Sequence, residues 1–226
     1  MSSPVITIDG PSGSGKGTIS RLVADRLGWR LLDSGALYRL VAYAGQRRGL
    51  SPYDESGHAG IAQRLDVQFG LGPHGGEQIW LGSEEVSQRI RTEQAGEGAS
   101  RVAAMPGVRA ALLDRQRAFA GAPGLVADGR DMGTVVFPGA VLKIFLTASA
   151  GERARRRYNQ LKDKGLGANL AALSLEIAER DRRDTSRAVA PLRAADDAVI
   201  VDSTAMTIDA VVARVLELAA ERLPAG

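Results

Sequence analysis

Seven residues near the start of the chain have the types and spacing of a phosphate-binding loop. A β-branched run at residues 5–8 precedes the loop, and apolar positions at helical spacing predict a helix over Lys16–Leu27 after it. In such a loop, glycines let backbone N–H groups converge on phosphate oxygens, and the lysine reaches the β- and γ-phosphates. A merely flexible glycine loop is the alternative. The residues that match the pattern Gly-x-x-x-x-Gly-Lys are Gly10, Pro11, Ser12, Gly13, Ser14, Gly15 and Lys16.

The position after the lysine departs from the general pattern. Gly17 stands where a Ser or Thr hydroxyl usually binds Mg²⁺, and Thr18 comes next. Asp128 follows the apolar run at residues 125–127, so it is predicted to end a neighbouring strand, where an acid can order Mg²⁺ or its waters. Helix capping in a turn is the alternative for Asp128. Thr18 and Asp128 are therefore candidates for holding Mg²⁺ through water.

Strands alternate with helices along most of the chain. Apolar runs at residues 125–127, 141–146 and 198–201 predict further strands, and helices are predicted from about residue 149 and over residues 208–223. Such alternation is typical of an α/β fold, here a P-loop parallel sheet flanked by helices.

Two segments interrupt this alternation. Residues 65–69 and 78–81 flank a glycine-rich turn at residues 70–76, which predicts a small antiparallel hairpin inserted into the α/β body. Residues 176–191 are rich in Arg and Asp, and a mobile flap between helices is predicted there.

The composition narrows the classes of function. Of the 226 residues, 44% are hydrophobic, enough for one core domain with insertions. The formal charge of +3 is carried by arginines spaced within predicted helices, which suits an anionic metabolite at least as well as nucleic acid. Cysteine is absent, and the two histidines, His58 and His74, make a poor metal site. No apolar run approaches the ~20 residues of a membrane span, so a soluble cytoplasmic protein is expected.

Four blocks of sequence carry a more specific resemblance. They are residues 8–18 (IDGPSGSGKGT), 32–39 (LDSGALYR), 127–134 (ADGRDMGT) and 180–187 (RDRRDTSR). The Gly-Lys-Gly-Thr of the first block is similar to that of nucleoside monophosphate kinases. Together, in this order and spacing, the blocks resemble the bacterial cytidylate kinase family, from residue 5 to about residue 203.

This resemblance implies an activity and its small molecules. The activity is transfer of the γ-phosphoryl group of ATP, with Mg²⁺, to CMP or dCMP. The expected partners are these small molecules, with no nucleic acid and no membrane, and the chain is expected to be a monomer. One kinase domain is expected, with a core of about residues 1–33, 102–150 and 190–226, an acceptor-binding insert of about 34–101 and a lid of about 151–189.

The resemblance also implies which residues bind the acceptor. Arg39 and Arg130 would hold its phosphate, because the planar guanidinium meets phosphate oxygens bidentately. Asp184 and Arg187 would contact the ribose and phosphate side. A solvated helix face is the alternative for Arg39, and a helix-end ion pair is the alternative for Asp184 with Arg187. The full acceptor set is Ser34, Tyr38, Arg39, Ser100, Arg109, Arg130, Asp131, Asp184 and Arg187.

Three members of that set would read the base. Ser100, Arg109 and Asp131 fall where the family recognises the cytosine edge. A carboxylate accepts a hydrogen bond from cytosine N4, whereas uracil presents O4 at that place. This favours CMP and dCMP over UMP.

A basic region is expected to close on the triphosphate. Arg153, Arg156 and Arg157 are three and four residues apart, so they share one face of a helix, and Arg180 and Arg183 belong to the same region. A solvated basic face is the alternative; Arg157 and Arg183 are the strongest candidates. The residues expected to act in catalysis are Lys16, Asp128, Arg130, Arg157 and Arg183.

Two rival functions stay open at this point. One is the same chemistry on another small acceptor, such as UMP or shikimate. The other is a P-loop NTPase that hydrolyses nucleotide to change partners. Acceptor-type arginines after the predicted strands and the lack of a guanine-specificity motif argue against the second.

Overall fold

The computed structural model describes residues 3–71, 77–163, 165 and 167–223. No helix among these residues is long and apolar enough to cross a membrane. The chain also forms a 3-10 turn at Arg89–Arg91 and a π-helical turn at Met132–Val136. In chain order the strands and helices are β1 (Val5–Asp9), α1 (Lys16–Leu27), β2 (Arg30–Asp33), α2 (Ser34–Arg47), α3 (Glu55–Gln63), β3 (Val67–Leu71), β4 (Glu77–Leu81), β5 (Glu84–Glu85), α4 (Glu93–Val102), α5 (Pro106–Arg117), β6 (Leu125–Gly129), β7 (Leu142–Thr147), α6 (Ala150–Asp163), α7 (Leu170–Thr185), β8 (Val199–Asp202) and α8 (Ile208–Arg222).

The chain divides into two compact units, Met1–Asp33 with Gln116–Gly226, and Ser34–Arg115. The first unit contains a five-stranded sheet in the order β2-β6-β1-β7-β8, and all its strand pairs are parallel. The predicted parallel α/β sheet is thus confirmed. Since Ile8 lies opposite Asp128 and Asp9 opposite Gly129, the carboxyl ends of β1 and β6 meet at one edge of this sheet.

One face of the sheet packs on α1 and α8. The alternate residues Ile6 and Ile8 of β1 are fully buried there, and burial of each such side chain stabilises the fold by about 1.5–3 kcal/mol. Helix α1 contributes Ile19 and Val23 to the same cluster. The remaining β1 side chains, including Asp9, therefore face the opposite side of the sheet, where the π-helical turn lies.

Helices α6 and α7 pack against each other. The segment predicted as a mobile flap between helices is helical up to Thr185, so its predicted place between helices is wrong, while its mobility stays a prediction. Asn169 caps this helix by accepting hydrogen bonds from the N–H groups of Ala171 and Ala172, and Leu173 and Ile177 bury one face at a spacing of four residues. The helical period of those apolar residues extends α7 into the segment whose charged composition suggested a flap.

The second unit holds the small sheet. Strands β3, β4 and β5 pair antiparallel, with Phe69 opposite Ile79, which confirms the predicted hairpin and adds a short third strand. Residues 72–76 of the predicted turn, His74 included, lie outside the described residues. Helices α2 and α4 pack against each other in the same unit.

Candidate active site

The phosphate-binding loop connects the end of β1 to the start of α1. A Cβ atom at Gly10 would clash with the carbonyl oxygen of Leu146, so this position requires glycine. Gly15 has a φ of +88°, in the left-handed region that favours glycine, and α1 begins at the next residue. The loop backbone therefore takes a shape that side chains would prevent, and its amides lie at a helix N-terminus, which favours anions.

Lys16 lies folded across this loop. Its side chain is buried, and Nζ donates a hydrogen bond of 3.1 Å to the carbonyl oxygen of Pro11. Burial and, after it, the nearby positive charge of Arg130 lower the pKa of Lys16 to about 7, while Asp128 opposes the shift. A bound phosphate would raise the pKa of Lys16 again, because its negative charge stabilises the protonated ammonium group.

Asp128 lies within β6, so helix capping in a turn is not its role. Its carboxylate is buried, and Oδ1 has no hydrogen-bond partner among the described residues. Burial raises the pKa of Asp128, and the ammonium group of Lys16 opposes this shift. A Cβ atom at Gly17 would lie 3.2 Å from Asp128 Oδ2, so glycine after the lysine leaves room for the acid. Thr18 is exposed on the first turn of α1.

Asp184 and Arg187, both buried, form a charge cluster with the half-buried Arg130. Asp184 Oδ2 accepts from Arg130 Nε at 2.8 Å, and its Oδ1 lies 2.8 Å from Arg187 Nη2. Burial favours the neutral acid, but the two guanidinium groups outweigh it and hold the pKa of Asp184 below its ordinary value. The helix-end ion pair between Asp184 and Arg187, predicted as the alternative to a contact with the acceptor, is present. It is buried and joined to Arg130, unlike a weak surface pair.

Asp131 is 2% exposed and follows Arg130 directly, at the start of the π-helical turn. Asp9 fixes that turn, because its two carboxylate oxygens accept 2.8 Å hydrogen bonds from the N–H groups of Met132 and Gly133. Asp9 was not among the predicted site residues. A charged residue that ends an otherwise apolar strand was the signal that could have found it.

The arginines of the predicted lid have different neighbours. Arg153 is buried, donates to the carbonyl oxygen of Ser12 at 2.9 Å and lies 2.6 Å from Asp181. Arg156 donates to the carbonyl oxygens of Ser14 and Ser203. These two arginines of α6 thus bind the backbone of the phosphate-binding loop, and Arg156 also binds the chain after β8.

The two strongest lid candidates have partners on their own helices. Arg157 donates to Gln160, and Arg183 pairs with Glu179 at 3.0 Å. Arg180 is half-buried on α7. Arg153 and Arg156 therefore differ from Arg157 and Arg183, because only the first two donate hydrogen bonds to the phosphate-binding loop among the described contacts of these four side chains.

The second unit positions the other predicted acceptor residues. Arg39 is half-buried and donates to the carbonyl oxygen of Ile90 at 2.7 Å, so a freely solvated helix face is wrong for it. The Arg109 guanidinium lies 5.7 Å from the centroid of the Tyr38 ring. Ser34 and Ser100 are buried on α2 and α4.

No group of three or more His, Cys, Asp or Glu side chains that could hold a metal ion occurs in the described part of the chain. The buried Asp128 Oδ1, which accepts no hydrogen bond from the part of the chain that the structure describes, still suits a water-mediated contact with a divalent cation brought by a nucleotide.

Comparison with known proteins gives one consistent result. A sequence profile described as cytidylate kinase matches residues 6–221. The cytidylate kinase of Stutzerimonas stutzeri (strain A1501) is 61% identical over 224 residues, which cover 99% of this chain and 98% of that protein. The cytidylate kinase of Pseudomonas aeruginosa (strain UCBPP-PA14) is 62% identical over 215 residues, 94% of this chain and 93% of that protein. That of Azotobacter vinelandii (strain DJ / ATCC BAA-1303) is 59% identical over 226 residues, 98% of this chain and 97% of that protein. Because these matches span nearly its whole length, the chain belongs to the cytidylate kinase family.

Proposed function

We propose that the chain transfers the γ-phosphoryl group of ATP to CMP or dCMP, giving ADP and CDP or dCDP. Membership of the family supports the activity and the acceptor. The observation that carries it in the structure is the place of Lys16. Lys16 ends the phosphate-binding loop and lies close enough to Arg130 for the two positive charges to interact. Arg130 directly precedes Asp131 in the sequence.

The donor end stabilises the negative charge of the triphosphate. The loop amides and Lys16 surround the β- and γ-phosphates, and this fixed positive field acts where charge spreads in the transition state. Arg153 and Arg156 keep the loop in shape by binding the carbonyl oxygens of Ser12 and Ser14. Asp128 and Thr18 would hold Mg²⁺ through water, and the ion would neutralise phosphate charge when it binds with ATP.

The acceptor end uses Arg130 for the phosphate and Asp131 for the base. Asp184 orients Arg130 through the 2.8 Å ion pair and contacts the ribose side with Arg187. No general base is needed, because the acceptor phosphate is already an anionic nucleophile. Arg39 and Arg109 take part in phosphate and base recognition, a role that rests on their match to the family pattern.

The base-reading role of Asp131 is tested by Asp131→Asn. Asparagine can donate as well as accept, so the preference for cytosine N4 over uracil O4 is lost. We expect kcat/KM for CMP to fall far more than kcat/KM for UMP. The CMP-to-UMP ratio of kcat/KM should fall roughly 5- to 150-fold, which corresponds to about 1–3 kcal/mol. Asp209→Asn, on the exposed first turn of α8, is the matched control and should leave the ratio unchanged. An unchanged ratio in Asp131→Asn would show that the base is read elsewhere.

A further inference from the structure

The carboxylate of Asp9 holds a loop that is 123 and 124 residues away in the chain. Asp9 ends β1 and is 5% exposed. Its Oδ1 accepts a 2.8 Å hydrogen bond from the Met132 N–H, and its Oδ2 accepts one of the same length from Gly133. Both oxygens thus bind the first residues of the π-helical turn, which fixes the turn in position and in orientation.

Close packing under Gly133 leaves this turn little room to move. A Cβ atom there would lie 2.9 Å from Thr7 Oγ1 and 3.1 Å from Lys143 Cδ. Lys143 is itself buried and pairs with Asp197 at 2.9 Å, so its stem is held in place. The turn therefore rests directly on β1 and β7, and Asp9 holds it there.

The two segments that Asp9 joins are the ones assigned to the two reactants. Gly10, the first residue of the phosphate-binding loop, follows Asp9 directly, and Arg130 and Asp131 directly precede Met132. We propose that Asp9 is a positioning residue that sets the loop bearing Arg130 and Asp131 against the donor loop, an inference that rests on the proposed function. It touches neither reactant and acts through the backbone.

The reason for such a device lies in the geometry of the reaction. Phosphoryl transfer needs the attacking and leaving oxygens in line, and a misplacement of about 1 Å can lower the rate about 100-fold. A carboxylate can accept from two N–H groups at once. An asparagine keeps one acceptor and turns its amide donors toward the second N–H, so one hydrogen bond is replaced by a donor–donor contact.

The first test is the kinetics of Asp9→Asn. We expect kcat with CMP to fall about 10- to 100-fold, the CMP-to-UMP ratio of kcat/KM to fall as well, and the KM for ATP to stay within about twofold. Asp25→Asn is the control, since it makes the same change at an exposed aspartate on α1. It should behave as wild type. A folded Asp9→Asn protein with the wild-type kcat and ratio would overturn the proposal.

A second measurement needs no variant. Amide hydrogen exchange of the unliganded wild type, followed by NMR, should show Met132 and Gly133 protected as strongly as the amides of β1. An active wild-type kinase in which these two amides exchange as fast as exposed loop amides would overturn the role of Asp9 alone. A wild type that folds but does not phosphorylate CMP would instead refute the proposed function. The exchange rates would still report whether the two amides are held by Asp9.

Discussion

Replacing Asp184 by Asn would remove the carboxylate that pairs with the buried Arg187 and the half-buried Arg130. Asp184 pairs with Arg130 and Arg187 at 2.8 Å, and only 4% of its side chain is exposed. The matched control is Glu179→Gln on the same helix, because Glu179 pairs with Arg183 at 3.0 Å but is 60% exposed. The two changes remove one negative charge each, from sites that differ in burial.

The expected sizes of the two effects differ several-fold. Removing one partner of a buried ion pair costs about 3–5 kcal/mol, because the remaining charge stays buried and loses that partner. At about 2–4 °C per kcal/mol for a chain of this size, Asp184→Asn should lower Tm by about 6–20 °C. An exposed pair contributes about 0–1 kcal/mol, so Glu179→Gln should lower Tm by at most about 4 °C.

Thermal unfolding of the two variants and the wild type, in the same buffer at pH 7 and without nucleotide, measures this difference. Equal Tm shifts in Asp184→Asn and Glu179→Gln would show that burial of this ion pair does not increase its contribution to stability.

Three further predictions follow from the same contacts. Lys16→Met should lower kcat about 100-fold or more while the protein stays folded by circular dichroism, and retention of more than about a tenth of the wild-type kcat would rule out its role on the γ-phosphate. Residues 151–189 should gain protection from hydrogen exchange when an ATP analogue and CMP are both bound, and equal protection with and without them would count against a lid. Because the pKa of Asp184 is lowered in the folded state, its ion pairs stabilise the protein above the unfolded value of about 4, and this contribution is lost as pH falls below it. The difference in unfolding free energy between wild type and Asp184→Asn should therefore shrink below about pH 4, and a difference that persists there would contradict the assignment.

Features encoded by local spacing were predictable from the sequence. The phosphate-binding loop between β1 and α1 depends on seven consecutive residues and on the elements beside it, so its pattern predicts its structure. The hairpin of β3 and β4 was predictable for the same reason. By contrast, β2 has only four residues of mixed exposure and begins with the exposed Arg30, so no apolar pattern marks it.

Contacts between distant segments were not predictable in this way. The hydrogen bonds of Asp9 depend on β1 pairing with β6, which brings together residues far apart in the chain. Likewise, helical spacing predicted that Arg153 and Arg156 share a face of α6, but not that this face binds the carbonyl oxygens of the phosphate-binding loop. Helix periodicity defines a face of a helix and leaves its partner unspecified.

The most direct test of the proposed activity is ATP consumption by the wild-type protein with no acceptor and with CMP, dCMP, UMP or shikimate. Binding of both substrates should be needed for transfer, so ATP should be consumed only when an acceptor is present. We expect kcat/KM to be highest for CMP and dCMP and clearly lower for UMP. ATP hydrolysis at the same rate without any acceptor would contradict the account and favour an NTPase switch.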